Sequence, residues 1–161
     1  MKRATLLSVN IGAVEERDQV IQQFHIGISI LETEWLESAL DPFPDPKSAA
    51  SMIQSSYYVV GSPDYRISTA EMSIFGKIQP ITLADLKEKL EAITAPGNGI
   101  LVLHDSKRGL SLLERLDIYL NPLFTIDTVK AAQHPLRLSY RYSLAKMLEE
   151  LEIPFTGTRP E

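Results

Sequence analysis

The sequence contains no cysteine, and that absence excludes two kinds of site. Neither a disulfide framework nor a metal centre built from thiolates can form without this residue. Any chemistry that the chain performs must therefore use oxygen and nitrogen groups.

Long apolar runs are also missing from the sequence. No stretch approaches the roughly 18 residues of a membrane-spanning helix, and the N-terminal MKRATLLSVNIGAVEE becomes polar too early for a secretory signal. These features predict an intracellular protein, cytoplasmic or nuclear, that does not enter a membrane. With 161 residues, of which 44% are hydrophobic, the chain has the size of one globular domain, and we predict a single domain over 1–161.

The sequence contains fewer basic than acidic side chains. The 16 basic side chains are outnumbered by 21 acidic ones, for a net charge of −5, which argues against a strong, non-specific phosphate-binding surface. The acidic excess lies in residues 1–100, whereas residues 101–161 are balanced. A nucleic-acid surface would have to be a local patch, and the alternative is an ordinary solvated surface of mixed charge. The candidate residues for that patch are Lys107, Arg108, Arg137 and Arg141.

The first half of the chain reads as three strands. Two apolar, β-branched segments, 6–12 and 24–31, flank the polar EERDQ and predict an antiparallel hairpin. The proline-rich segment 39–48 predicts an irregular loop. A third strand is expected over 53–60, and a turn over 61–65.

Helices and strands alternate in the second half. The expected helices cover 83–93, 107–116 and 140–152, and another begins in DTVKAAQH with Asp127 or Thr128 as its cap. The expected strands cover 100–104 and 123–126. Thr82 is the predicted N-cap of the first helix, with Asp85 three residues later. The last helix carries an apolar stripe that we interpret as core, made of Tyr140, Leu144, Met147, Leu148 and Leu151.

This order predicts an α/β fold. Three antiparallel strands followed by βαβ units give a mixed five-stranded sheet with helices packed on it. Ligands of such sheets usually bind beyond the carboxyl ends of central strands. The ends of the first strand, Asn10 to Gly12, and of the fourth, His104 and Asp105, are therefore the expected site.

Four stretches of the chain are distinctive in this context. They are FHIGISILETEWL (24–36), YYVVGSPDY with SIFGKIQPITLADL (57–86), VLHDSKRGLSLL (102–113), and IDTVKAA with SLAKMLEELEIPF (126–155). In this order they resemble the ribonuclease H-like fold of the DEDD-type 3′-5′ exonucleases. The closer likeness is to a fungal family of exonuclease-like domains related to a yeast mRNA-export factor. The resemblance covers nearly the whole chain.

The resemblance implies a particular site, which the matching positions depart from. Active members hold two divalent metal ions with acidic side chains. Asn10 and Gly12 stand at the positions of the first-strand Asp-x-Glu pair, and Gly109 stands where a second aspartate belongs. TGTRPE stands where the final histidine and aspartate are expected. Metal-dependent hydrolysis would then be lost, and no cofactor would be expected.

Three functions follow as alternatives. The first is a catalytically degenerate domain that acts as a scaffold for a protein partner or for RNA or another single-stranded nucleic acid. The second is an active exonuclease that uses magnesium or manganese, with ligands displaced to Asp105, Asp127 and the pair Glu15 and Glu16. The third is a structural module that forms a homodimer through a sheet edge or an exposed helix.

Four of the candidate site residues each have two interpretations. Asp105 and Asp127 can each cap the helix that follows instead of binding a metal ion. His104 can act as a base or make a structural hydrogen bond at the end of a buried strand. Gly109 can mark a close approach by the backbone or a partner, or a position whose aspartate was lost. His25 and His134 have no recognisable partner pattern.

Overall fold

A computed structural model of the chain describes residues 3–35, 52–62, 78–133 and 142–153. The strands are β1 (Thr5–Arg17), β2 (Val20–Glu32), β3 (Gln54–Val60), β4 (Gln79–Pro80), β5 (Gly99–Leu103) and β6 (Phe124–Asp127). The helices are α1 (Leu83–Thr94), α2 (Ser106–Arg115), α3 (Thr128–Gln133) and α4 (Leu144–Glu150), and a 3-10 turn covers Thr33–Trp35. The predicted loop 39–48, most of the predicted turn 61–65, and His134, Arg137, Tyr140 and Arg141 lie outside the described residues.

The strands of the described residues form one mixed sheet in the order β4-β3-β2-β1-β5-β6. β1, β2 and β3 are antiparallel neighbours, whereas β5 is parallel to both β1 and β6. This confirms the predicted α/β class, with three antiparallel strands followed by βαβ units. The predicted number of five strands is wrong, because β4 pairs with β3 at Tyr58 and Val59. Two residues are too few to show the alternation that identifies a strand in a sequence.

The first hairpin is longer than its apolar pattern predicts. Asp18 and Gln19 have φ values of 52° and 65°, and two consecutive positive values are typical of a two-residue type I′ turn. β1 thus runs through the polar EER segment instead of ending at Gly12. A register shift between Gly12 and Glu15, with Ala13 at φ 47°, marks a β-bulge.

One face of the sheet carries the hydrophobic core. Leu7 and Val9 of β1 and Leu101 of β5 are buried there together with Leu86 and Leu90 of α1. The predicted cap of α1 is confirmed, since Thr82 Oγ1 accepts a hydrogen bond of 3.1 Å from Asp85 N. α2 contributes buried Leu113 to the same cluster, and Leu116 follows directly after the helix, so both helices pack on this face.

The predicted core stripe of the last helix is only partly correct. Met147 is buried, but Leu144 is 47% exposed and Leu151 is 41% exposed. The helix begins after Ser143, whose side chain accepts from Lys146 N. Helical periodicity identifies an apolar face but not whether another element covers it. None of the described helices combines the length and the apolar character needed to cross a bilayer.

Candidate functional site

A cleft opens where β1 and β5 separate. β1 pairs with β5 only from Thr5 to Ser8, whereas its pairing with β2 continues to Arg17. The cleft has a volume of about 430 Å³ and lies between the second half of β1 and the first turn of α2. α3 contributes Val129 to its wall, and the segment before α4 contributes Tyr142 and Ser143.

The residues expected at the carboxyl ends of the two strands meet in this cleft. Asn10 and Gly12 line it from β1, and His104, Asp105 and Gly109 line it from the β5–α2 junction. The parallel pairing of β1 with β5 stops at Ser8 and Val102, and the segments that follow these two residues converge although they are far apart in sequence. Asn10 is an exposed residue, and His104 and Asp105 are half-buried.

Thr128 fixes the orientation of the His104 ring. His104 Nδ1 lies 3.0 Å from Thr128 Oγ1, which donates its hydroxyl proton to Leu103 O at 3.2 Å. Since threonine has one hydroxyl proton, we infer that His104 Nδ1–H donates to Thr128 Oγ1. The other ring nitrogen, Nε2, is then a hydrogen-bond acceptor in the neutral ring. His104 therefore makes a structural hydrogen bond and lines the cleft at the same time.

Asp105 occupies the N-cap position of α2 in an unusual conformation. Its backbone is left-handed, with φ 59° and ψ 66°, and its side chain makes no capping hydrogen bond. An N-cap residue normally has an extended backbone, which directs its side chain at the N–H groups of the first turn. The prediction that the Asp105 carboxylate caps α2 is therefore wrong. Asp105 is one of the residues that line the cleft.

The other candidate carboxylates are engaged elsewhere. Asp127 Oδ1 accepts a hydrogen bond of 3.0 Å from Val129 N, which confirms its predicted role at the start of α3. Glu16 forms a bidentate pair with Arg115, at 2.8 and 2.9 Å, and these hydrogen bonds lower the pKa of Glu16 below its ordinary value. Glu15 accepts from Gln23 Nε2.

These carboxylates do not line the cleft with Asp105. Within the described parts of the chain, no group of three or more histidine, aspartate and glutamate side chains is close enough to hold a metal ion. Asn10 and Asp105 would supply only one amide and one carboxylate, whereas hard divalent ions require several oxygen ligands.

The predicted basic patch is only partly at this site. Lys107 and Arg108 are both exposed in the first turn of α2, but only Arg108 lines the cleft. Arg108 also borders a neighbouring cleft of about 310 Å³ that contains Ser111 and Arg115. Among the lining residues described, Arg108 is the cation that reaches the main cleft.

The two glycines of the cleft leave room for a Cβ atom. A Cβ atom built on Gly12 would meet no atom within 4 Å, and one built on Gly109 would lie 3.7 and 3.8 Å from the two methyl groups of Leu103. Both results correspond to open space or ordinary van der Waals contact. The interpretation that Gly109 permits a close approach within the chain is therefore wrong for the described residues.

Sequence reasoning missed Thr128, Tyr142 and Ser143. Thr128 is found only once the β5 and β6 ends are known to be neighbours. Ser143 carries a local signal, because a serine directly before an apolar helical pattern is a typical N-cap. Tyr142 has no such signal, since the contact between its segment and the cleft is purely tertiary.

Comparisons with known proteins assign no family to the chain. No protein-family model matches it, and no curated protein shows significant similarity to it. The fold and the cleft are therefore the basis for a functional proposal.

Proposed function

We propose that the chain is a catalytically degenerate domain of the ribonuclease H-like, DEDD exonuclease-related type, whose cleft binds single-stranded RNA without cleaving it. The observation that carries the proposal is the convergence of Asn10, Gly12 and Gly109 in one cleft. These are three of the four positions at which the resemblance implies acidic ligands. A Cβ atom at either glycine would meet no steric clash.

The strand arrangement supports the same proposal. The resemblance implies three antiparallel strands followed by parallel crossover units, and β1, β2, β3, β5 and β6 are arranged in that way. Asn10 and Gly12, which match the implied first-strand acidic pair, follow the point where β1 separates from β5, and the cleft opens at that point.

The chemistry of the cleft favours RNA as the ligand. Arg108 offers a cation for a phosphate, the side chain of Asn10 offers both a donor and an acceptor, and His104 Nε2 offers an acceptor. A ribose 2′-hydroxyl can donate to such an acceptor, and this group distinguishes RNA from DNA. With few anionic ligands in the cleft, two divalent ions would not be held, so binding without hydrolysis is expected.

A binding measurement with a matched pair of variants tests the proposal. Fluorescence anisotropy of a labelled single-stranded RNA would compare the wild type, Arg108→Glu and Arg17→Glu. Arg17 is also an exposed arginine, but it lies at the end of the hairpin. We expect weak binding that falls between about 50 mM and about 200 mM salt, with a slope of about −0.7 for each phosphate contact. Arg108→Glu is expected to weaken binding by about tenfold or more, a loss of about 1.4 kcal/mol, and Arg17→Glu to have little effect.

Two results would contradict this function. Equal affinity of the wild type and of Arg108→Glu for RNA would show that RNA does not bind in the cleft. No RNA binding at low salt would favour a protein partner instead. Release of nucleotides from end-labelled RNA with Mg²⁺ or Mn²⁺ is the second measurement. Digestion that depends on metal and is abolished by Asp105→Asn would establish the active exonuclease with a displaced ligand.

A further inference from the structure

β6 is an apolar strand at the edge of the sheet. Among the described residues it pairs with β5 on one side and with no strand on the other. Phe124 is 63% exposed, and Leu123 and Ile126 are exposed as well. An exposed apolar edge strand is a template for pairing with another chain.

The two edges of the described sheet differ in how they are protected. β4, at the opposite edge, has only two residues, one of which is Pro80. Short length and proline are devices that prevent pairing at sheet edges, as is lysine. The four residues of β6, FTID, include neither proline nor lysine. The one charged residue of β6, Asp127, uses its carboxylate at the start of α3.

We propose that β6 pairs antiparallel with β6 of a second copy of the chain, about a two-fold axis at Thr125. Phe124 would then lie opposite Ile126 of the second copy, and Leu123 opposite Asp127 of the second copy. An aromatic residue opposite a β-branched one is a favourable cross-strand pair, and no like charges face each other. The strand is thus complementary to itself, as a two-fold symmetric interface requires.

The backbone of β6 is compatible with this pairing. Leu123 N donates to Gly99 O at 2.7 Å, on the β5 side. Because backbone groups alternate in direction along a strand, the N–H and C=O groups of Phe124 and Ile126 are directed at the open edge. They are the groups that would bind a second strand.

The size of the interface predicts a weak dimer. An aromatic side chain offers roughly 150–250 Å², so exposed Phe124 can contribute roughly half of that or more. Two four-residue strands with their side chains remain below the roughly 1,200 Å² of a stable interface. The expected state is an equilibrium between monomer and dimer that depends on concentration.

Sedimentation equilibrium of the full chain tests the interface with matched variants. We expect the wild type to self-associate over a range from about 5 to about 500 μM. Phe124→Lys is expected to raise the dissociation constant by about tenfold or more, because lysine blocks an edge. Val20→Lys is the control, since Val20 is 59% exposed and lies at the hairpin turn, away from β6. A monomeric wild type at every concentration, or equal dissociation constants in both lysine variants, would overturn the proposal.

A second measurement tests the register. The chain has no cysteine, so Thr125→Cys carries a single thiol. Opposite residues of antiparallel strands have Cα atoms about 4.5–5.5 Å apart, within the range that a disulfide bond allows. We expect Thr125→Cys to form a disulfide-linked dimer on mild oxidation much faster than Val20→Cys at the same concentration. Equal rates would refute pairing about Thr125, and far-UV circular dichroism would verify that both variants are folded.

Discussion

Replacing Gly109 by alanine is expected to make the domain more stable. Glycine within a helix costs about 0.8–1.0 kcal/mol relative to alanine, because its unfolded chain has more freedom to lose. Gly109 lies in the first turn of α2, and its new Cβ would lie 3.7 Å from the nearest methyl carbon of buried Leu103. That distance adds a contact without a clash. We therefore expect the free energy of unfolding to rise by about 0.5–1 kcal/mol, and the Tm by roughly 1–4 °C.

Urea unfolding followed by circular dichroism measures this change. The midpoint is expected to rise at an unchanged slope, which shows that the two proteins expose the same surface on unfolding. Gly61→Ala is the control, because Gly61 has φ 140° and its added Cβ would overlap the side chain of Gln23. That variant is expected to lose more than about 1 kcal/mol. A Gly109→Ala protein less stable than the wild type would refute the conclusion that this position has room.

Two further predictions concern the ancestry of the cleft and the effect of pH. The triple variant Asn10→Asp, Gly12→Glu, Gly109→Asp places three carboxylates in the cleft, and we expect it to bind Mn²⁺ in calorimetric titration, unlike the wild type. No gain of Mn²⁺ binding would contradict the alignment with the exonucleases. Burial lowers the pKa of His25, so the unfolded state binds the proton first as pH falls through about 6.5. The free energy of unfolding should then decrease below that pH by at most about 1.36 kcal/mol per pH unit. His25→Asn should reduce this dependence of the free energy of unfolding on pH, measured by urea unfolding from about pH 7.5 to about pH 5.5. Equal dependence in the wild type and the variant would contradict the role of His25.

The sequence predicts the class of fold because most strands and helices carry clear periodic patterns. Alternation identifies β1, β2 and β3, and the apolar run identifies β5. The hairpin extension was not predictable by the same means, since Glu15 to Arg17 are exposed and a strand that is polar on both faces shows no alternation. β4 was not predicted because a two-residue strand is too short to show alternation.

The position of the site was predictable, but its details depend on tertiary structure. Asn10 and His104 lie in the cleft because the parallel pairing of β1 with β5 stops shortly before both residues, close to where the rule for parallel strands places a site. The left-handed backbone of Asp105 has no sequence signal, because aspartate is common both in that conformation and at helix caps. Leu144 and Leu151 form a periodic stripe whose exposure depends on what packs beside α4.

The separation of β1 from β5 has a consequence for the kinetics of folding. The β1–β2 hairpin closes through a two-residue turn, whereas the pairing of Thr5 with Gly99 must first close a large loop of chain. Most of the residues that line the cleft belong to β1 or to the β5–α2 segment, so the cleft is complete only after the long-range pairs have formed. A ligand that contacts both Asn10 and Arg108 would hold together the two segments that must separate when the protein unfolds. Ligand binding is therefore expected to lower the rate of unfolding and to raise the free energy of unfolding.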